Sequence, residues 1–156
     1  MPPAARPTWR HATSLDDEAL VALSAQLYIE DPSSEAVPIE NMRRTLETFR
    51  AQPVRGRALA LVRESGAVVG YALLVSFWSN ELGGELVEVD ELYVAQEARN
   101  LGLASELLTE LHDGTRLWAP RPVALLLQVT KTNERAKALY SRLGFRDRKN
   151  ATMVWR

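Results

Sequence analysis

The chain has 156 residues, of which 46% are hydrophobic and 25% are charged, and this length and composition are typical of one soluble globular domain. Its 19 basic and 20 acidic residues leave a formal net charge of −1, so there is no overall positive field to hold nucleic acid or an anionic membrane surface. The chain has no cysteine, which excludes disulfide bonds, thiolate metal sites and a cysteine nucleophile.

The N-terminal residues 1–7 are rich in proline and alanine and lack the apolar stretch of a secretory signal. We therefore expect a disordered tail over residues 1–7 and a single domain over residues 8–156. No apolar run approaches the roughly 20 residues that a membrane-spanning helix needs. These features favour a cytoplasmic location.

The first half of the domain predicts an alternation of short strands and helices. Leucines recur at helical spacing before an Asp-Pro-Ser-Ser break, and two apolar segments flank a Glu-Ser-Gly turn that is typical of a hairpin. The predicted elements are a strand at 9–12, a helix that ends near Glu30, a helix at 39–50, and hairpin strands at 58–63 and 68–78.

The second half predicts a strand–helix–strand unit followed by a last helix. Residues 123–129 are nearly all apolar, as expected for a strand that is buried on both faces. A right-handed crossover would make this strand parallel to the strand before it. The predicted elements are a strand at 85–94, a helix at 102–115, a strand at 123–129, a helix at 133–143, and short strands near Phe145 and Met153.

Together these elements predict an α/β fold. We expect a central mixed, mostly antiparallel sheet of about six or seven strands, flanked by about four helices.

The most informative segment is the loop that joins a strand ending at Val94 to a helix beginning near Gly102. Backbone N–H groups at a helix start have no partners inside the helix, and with the helix dipole they favour a phosphate anion. Gly102 and Ala104 would let a pyrophosphate approach closely, and Arg99 and Asn100 would add charge and hydrogen bonds at the rim. A helix start with a convenient glycine is the alternative interpretation of this segment taken alone.

Residues downstream support the interpretation of this loop as a phosphate-binding site. The pattern Arg99-x-x-Gly102-x-Ala104 is followed by an apolar strand and by Asn133, Ala136, Tyr140 and Gly144-Phe145. This combination resembles the GNAT family of N-acetyltransferases, and in particular its members that acetylate small amines and diamines. Asn100 stands where a glycine is frequent, and Ala104 replaces the last glycine; both are tolerated variants.

What the resemblance implies is an acyltransferase that moves an acetyl group from acetyl-CoA, as co-substrate and without a metal, to a primary amine by direct attack. In such a protein the parallel strands would splay apart where they end, near Val94 and Val129. The pantetheine arm would lie in that gap, and its diphosphate on the loop. The implied cofactor-binding residues are Leu92, Tyr93, Val94, Arg99, Asn100, Leu101, Gly102, Leu103, Ala104, Ser105 and Asn133.

The resemblance also implies a general base and a general acid. Glu88 falls where histone-acetylating relatives place their base, and Asp90 falls where diamine-acetylating relatives keep an acidic residue. Alternation along a strand would project Glu88 and Asp90 from one face and Glu91, the third choice, from the other. Tyr140 matches the tyrosine that protonates the departing thiolate in many relatives. An ordinary charged strand residue and a core aromatic are the alternative interpretations.

The acceptor is expected to be a small-molecule amine. Trp78, Glu81, Glu88 and Asp90 would combine negative charge with an aromatic face, which suits a cationic amine. A solvated turn beside core aromatics is the alternative. Nucleic-acid and membrane partners are not expected, while a homodimer is compatible with the resemblance because dimers are frequent in the family.

Other functional classes fit less well. A non-catalytic acyl-CoA-binding or sensing module on the same fold remains the main alternative. The chain lacks the Gly-x-x-x-x-Gly-Lys-Ser/Thr loop of nucleotide-binding proteins and the Gly-x-Ser-x-Gly of serine hydrolases. Its two histidines, His11 and His112, do not have the spacing of metal ligands.

Overall fold

The computed structural model describes residues 5–156, so the first four residues of the predicted tail lie outside the described part. Of the remaining tail residues, Arg6 bonds to the carbonyl of Leu101, and Pro7 is buried. The helices and strands are, in chain order, β1 (Thr8–His11), α1 (Asp17–Glu30), α2 (Ile39–Ala51), β2 (Arg57–Val62), β3 (Val68–Ser79), β4 (Gly84–Val94), α3 (Leu103–Asp113), β5 (Ala124–Leu127) and α4 (Glu134–Leu143).

The described strands form one five-stranded sheet with the order β1-β2-β3-β4-β5. Neighbours pair antiparallel from β1 to β4, whereas β4 and β5, joined through α3, run parallel. The predicted α/β fold with a mixed, mostly antiparallel sheet, a parallel pair and four helices is therefore confirmed.

The predicted count of six or seven strands was wrong for the described residues. The segment after α4, where strands were expected near Phe145 and Met153, contains no strand. Phe145 instead packs on Tyr140 with ring centroids 5.7 Å apart, and Trp155 is 97% exposed. A short strand gains little without a long partner, and β5 offers an edge of only four residues.

The last strand also differs from the prediction of a doubly buried strand over residues 123–129. β5 covers Ala124–Leu127, and all four of its residues are half-buried. The reason is its position at the edge of the described sheet, where one side has no neighbouring strand. Its apolar composition reflects packing against the core rather than burial on both faces.

The core lies between the sheet and the helices that pack on it. In α3 the buried leucines follow helical spacing, so one face of the helix meets the sheet: Leu103, Leu107, Leu108 and Leu111. Helices α1 and α2 pack on each other, and both contact the sheet, with α1 reaching β3 and β4. The far end of α1 is thereby held beside β4, where the functional site lies.

An ion pair anchors the first turn before α1. Asp16 is 4% exposed and accepts hydrogen bonds from Arg10 at 2.7 and 2.9 Å and from the amide of Thr13 at 2.8 Å. The bond from Arg10 is the main reason that the pKa of Asp16 lies below its ordinary value. This network fixes the start of α1 to β1.

Among the helices of residues 5–156, none combines the length and the apolar character that a membrane crossing requires.

Candidate functional site

A cleft of about 360 Å³ opens beside the second half of β4. Its walls come from the end of α1, the outer part of β4, the segment after β5 and the start of α4. Its lining includes four acidic or phenolic side chains: Tyr28, Asp31, Glu91 and Tyr140. The sequence predicted Tyr140 and, as a third choice, Glu91 as site residues, but it indicated neither Tyr28 nor Asp31. Asp90, Leu92 and Asn133, predicted from the sequence, also line it.

The cleft exists because β4 loses its parallel neighbour partway along its length. Pairing with β5 runs from Leu86 to Val89 and stops there, whereas pairing with β3 continues to Val94. The backbone of residues 90–92 therefore has no strand partner on the side of the cleft. The parallel pair that the sequence predicted is present, and its pairing ends at Val89.

A β-bulge sits at the point where the strands separate. Glu88 lies opposite Val75 and Glu91 lies opposite Leu73, while Asp90 has no partner on β3. Directly opposed residues share a face of the sheet, as do residues two apart on β3. Glu88 and Glu91 therefore share a face. The prediction that Glu91 projects away from the face of Glu88 was wrong, because the extra residue shifts the alternation by one.

The loop before α3 presents its backbone amides outward. Asn100 and Gly102 adopt left-handed conformations with φ of 65° and 73°, a region that glycine and asparagine tolerate best. Within residues 5–156, no backbone carbonyl accepts a hydrogen bond from the amides of residues 100–105. A Cβ added at Gly102 would meet only the Arg6 guanidinium, at 3.7 Å. The loop thus fits the predicted diphosphate at the start of a helix.

Arg99 is committed to protein partners. Its Nε donates to the carbonyl of Val94 at 2.8 Å, and its Nη2 pairs with Glu30 at 2.5 Å. Glu30 also accepts a bond from the Tyr93 hydroxyl at 2.7 Å, and the guanidinium lies 5.4 Å from the centre of the Tyr93 ring. Arg99 therefore ties the loop to the end of α1, in addition to any charge that it lends to the rim.

Two other arginines flank the loop, and sequence analysis missed both. Arg6 donates to the carbonyl of Leu101 at 2.6 Å and pairs with Glu106 at 2.8 Å. Arg135, in the first turn of α4, donates to the side chain of Asn100 at 3.0 Å. Arg6 lies in the segment predicted to be disordered, so no local pattern could reveal its position.

Asn133 caps α4 and reaches across the mouth of the cleft. Its Oδ1 accepts from the amide of Ala136 at 3.1 Å, and its Nδ2 donates to Asp31 at 3.2 Å. Tyr140, about two turns further along the same helix, is half-buried on the cleft wall. Burial, and then the charge of Asp31, raise the pKa of Tyr140 above its ordinary value.

A carboxylate between two phenols lies at the side of the cleft. Glu91 accepts from the Tyr28 hydroxyl at 2.5 Å and from the Tyr71 hydroxyl at 2.7 Å. Burial, and then Glu91, raise the pKa of both tyrosines. Both carboxylate oxygens of Glu91 thus accept a hydrogen bond from a tyrosine hydroxyl. These two bonds hold the negatively charged side chain of Glu91 in place beside the cleft.

Asp90 is a carboxylate of this cleft whose pKa the fold raises. Surrounding protein atoms, and then the charges of Glu91 and Glu88, raise the pKa of Asp90, although its surface stays open to the cleft. Glu88 does not line the cleft, and its Oε1 accepts from Gln128 at 3.0 Å across the parallel pair. The structure therefore brings Asp90 and Tyr140 to one cleft and leaves Glu88 beside it.

Trp78 and Glu81 lie away from the cleft. Trp78 pairs with Glu85 near the tip of the β3–β4 hairpin and is 72% exposed. With a rise of about 3.3 Å per residue, the five steps from Glu85 to Asp90 span about 16 Å. The structure therefore does not join these two predicted acceptor residues to the carboxylates of the cleft.

Within the described part of the chain, no group of three or more histidine and carboxylate side chains is placed to hold a metal ion.

The comparison with protein families gives one match. The family described as "Acetyltransferase (GNAT) family" matches residues 22–145, a span that includes the strands around the cleft, the loop before α3, and α4. Among curated proteins, no sequence match was found.

Solved structures share the fold over nearly the whole chain. An integron cassette protein from the mobile metagenome of Cole Harbour Salt Marsh is 27% identical, with a TM-score of 0.74, over 95% of this chain and 89% of that one. A possible acetyltransferase from Clostridium difficile 630 is 17% identical, with a TM-score of 0.78, over 97% and 98% of the two chains. A probable acetyltransferase is 21% identical, with a TM-score of 0.79, over 96% and 98%. At these identities the last two show the fold alone.

The raised pKa of Asp90 predicts a stability gain when its charge is removed. Because the folded protein holds this proton above the ordinary value of about 4, stability falls as pH rises through the window between the ordinary and the raised pKa, and stays lower above it. We expect Asp90→Asn to melt at a higher temperature than the parent at pH 7, and the gap to shrink as pH falls toward 4.

Thermal melts across this pH range measure the effect. Glu110→Gln, on the exposed face of α3, is a control that should leave the melting temperature unchanged throughout. An Asp90→Asn protein that melts lower than the parent at pH 7 would show that the carboxylate stabilises the fold.

Proposed function

The chain belongs to the acetyltransferase (GNAT) family, and we propose that it transfers the acetyl group of acetyl-CoA to a primary amine of a small cationic molecule. Acetyl-CoA supplies the activated thioester; the residues of the cleft bind it, place the amine and move the protons. The observation that carries the proposal is that, within residues 5–156, no backbone carbonyl accepts from the amides of residues 100–105, next to a strand whose parallel pairing ends at Val89.

The loop amides and the unpaired edge of β4 would bind different parts of acetyl-CoA. The amides of the loop and the positive end of α3 favour the diphosphate, with Arg135 and Arg6 adding positive charge beside Asn100 and Leu101. The free edge of β4 offers N–H and C=O groups to the amides of pantetheine, as a sheet edge does to an added strand.

Asp90 is our choice for the general base. An aliphatic ammonium, with a pKa of about 10.4, must lose a proton before the nitrogen can attack. Asp90 lines the cleft at the bulge, and its raised pKa makes it a stronger base than an ordinary aspartate. Glu88, the second choice, does not line the cleft and already accepts a bond from Gln128.

Tyr140 is our choice for the general acid. It lines the cleft opposite Asp90, and its raised pKa keeps the hydroxyl protonated. The ammonium first gives one proton to Asp90 through water, and the neutral nitrogen then forms the C–N bond as the C–S bond breaks. Tyr140 protonates the departing sulfur and recovers a proton from the newly acylated nitrogen. Asp90 releases its proton to solvent, so the products are the amide, the CoA thiol and one proton.

The charge of the cleft supports a cationic acceptor. Asp31, Asp90 and Glu91 line it, and no lysine or arginine of the described residues does. A neutral or anionic acceptor would gain nothing from these carboxylates, whereas an ammonium would be attracted to them. A protein N-terminus carries one ammonium, while a diamine or polyamine carries several.

The role of the loop amides is tested at Gly102. An alanine in this left-handed conformation is strained by about 1–2 kcal/mol, so we expect Gly102→Ala to deform the loop and to weaken acetyl-CoA binding at least tenfold by isothermal titration calorimetry.

The matched control is Gly66→Ala. Gly66 has φ of 87° and open space around it, but lies in the β2–β3 turn. It should lower the melting temperature to a similar extent and leave acetyl-CoA affinity unchanged. Equal affinities for both variants and the parent would contradict binding at the loop.

The acceptor class is tested with a panel of diamines, monoamines, amino acids and peptides, by following thiol release from acetyl-CoA. We expect diamines and polyamines to give the highest kcat/KM, because of the acidic cleft. Turnover confined to peptide N-termini would reject the small-amine acceptor. Tight acetyl-CoA binding without thiol release for any amine would favour the non-catalytic binding module.

The catalytic roles are tested with Asp90→Asn, Glu88→Gln and Tyr140→Phe. General acid–base groups contribute about 100- to 10,000-fold, so we expect Asp90→Asn and Tyr140→Phe to lower kcat by at least 100-fold with acetyl-CoA affinity largely kept. Loss of activity in Glu88→Gln but not in Asp90→Asn would transfer the base to Glu88. Full rates in both Asp90→Asn and Tyr140→Phe would refute both roles.

A further inference from the structure

One hydrogen bond of the cleft occupies Asn133, a residue that the sequence predicts to bind the co-substrate. The Nδ2 of Asn133 donates to Oδ2 of Asp31 at 3.2 Å, and the two residues lie 102 positions apart in the chain. The bond joins the end of α1 to the first turn of α4, so it spans the mouth of the cleft. Both residues are half-buried and line the cleft.

The Asn133 amide turns its nitrogen toward Asp31. Its Oδ1 accepts from the amide of Ala136 and caps α4, as residues at this position of a helix often do. Its Nδ2 carries two N–H groups, one of which donates to Asp31. A pantetheine carbonyl that takes this N–H would release the Asp31 carboxylate.

Asp31 carries a charge that the protein leaves without a cation. Within residues 5–156, no lysine, arginine or histidine forms an ion pair with it. Its neighbour Glu30, by contrast, pairs with Arg99. A carboxylate that is half-buried and bonded to one neutral amide is a strong acceptor for an ammonium, because bonds between charged groups are roughly twice as strong as neutral ones.

We propose that Asp31 exchanges Asn133 for the substrate: pantetheine takes the Asn133 donor, and the freed Asp31 carboxylate binds the second, non-reacting ammonium of a diamine acceptor. The inference rests on the proposed function and deepens it. A diamine would therefore bind more tightly after acetyl-CoA has bound than before, because Asp31 is then released from Asn133. The influence of its charge on Tyr140 is consistent with a position beside the reacting groups.

The exchange makes two variants of Asp31 behave differently. Asp31→Asn keeps an oxygen that can accept from Asn133 but loses the charge, whereas Asp31→Ala loses both. CoA affinity is measured by calorimetry, and kcat/KM is measured with 1,4-diaminobutane and with butylamine, which share a carbon chain and differ in the second ammonium. Glu35→Gln, in the same exposed loop, is the matched control.

We expect the parent protein to prefer the diamine by about 10- to 100-fold, the size of a hydrogen bond between charged groups. Both Asp31 variants should lose this preference, and Glu35→Gln should keep it. Asp31→Ala should bind CoA about fivefold more tightly, because a competing acceptor of ordinary strength is gone, and Asp31→Asn should bind CoA as the parent does.

Two results overturn the inference and leave acetyl transfer standing: a parent enzyme that uses both amines equally, or an Asp31→Asn enzyme that keeps the diamine preference. Weaker CoA binding by Asp31→Ala, with slower turnover of both amines alike, would give Asp31 a structural role and also overturn it. A parent protein that binds no acetyl-CoA refutes the proposed function and, with it, the exchange.

Discussion

The functional site depends on the loss of one strand partner. β4 is held on both sides up to Val89, and beyond that residue only β3 holds it. Unpaired backbone groups inside a protein are costly unless they find partners, so a free strand edge that persists beside a half-buried cleft is suited to a ligand with amide groups. The bulge at Asp90 sits at this transition, and Asp90 and Glu91 line the cleft there.

The end of α1 links the two halves of the cleft. Its last residue, Glu30, binds Tyr93 and Arg99 near the start of the loop before α3. The next residue, Asp31, binds Asn133 at the start of α4. Two adjacent carboxylates therefore contact the two segments that we assign to the co-substrate. The ion pair between Arg10 and Asp16 holds the other end of the same helix to β1. Both ends of α1 are therefore held in place, and with them Glu30 and Asp31.

The electrostatics of the cleft have a consistent sign. Glu91 is held between two tyrosines, and its negative charge helps to raise the pKa of the neighbouring Asp90. In the described part of the chain, no basic side chain forms an ion pair with Asp31. Placing three carboxylates together destabilises the fold unless a positive group joins them. This arrangement is what a site for a cationic acceptor requires, and it separates the cleft from the arginine-flanked loop that suits the diphosphate.

Local pattern in the sequence determined the order and type of the elements, the parallel pair and the loop around Gly102, because spacing of apolar residues, turn residues and a helix start act over a few neighbours. The bulge at Asp90, the partners of Glu91 and the bond between Asp31 and Asn133 were decided by tertiary structure, since these contacts join residues 63 and 102 positions apart. The expected strands after α4 failed for the same reason, because a strand is defined by a distant partner as well as by its own residues.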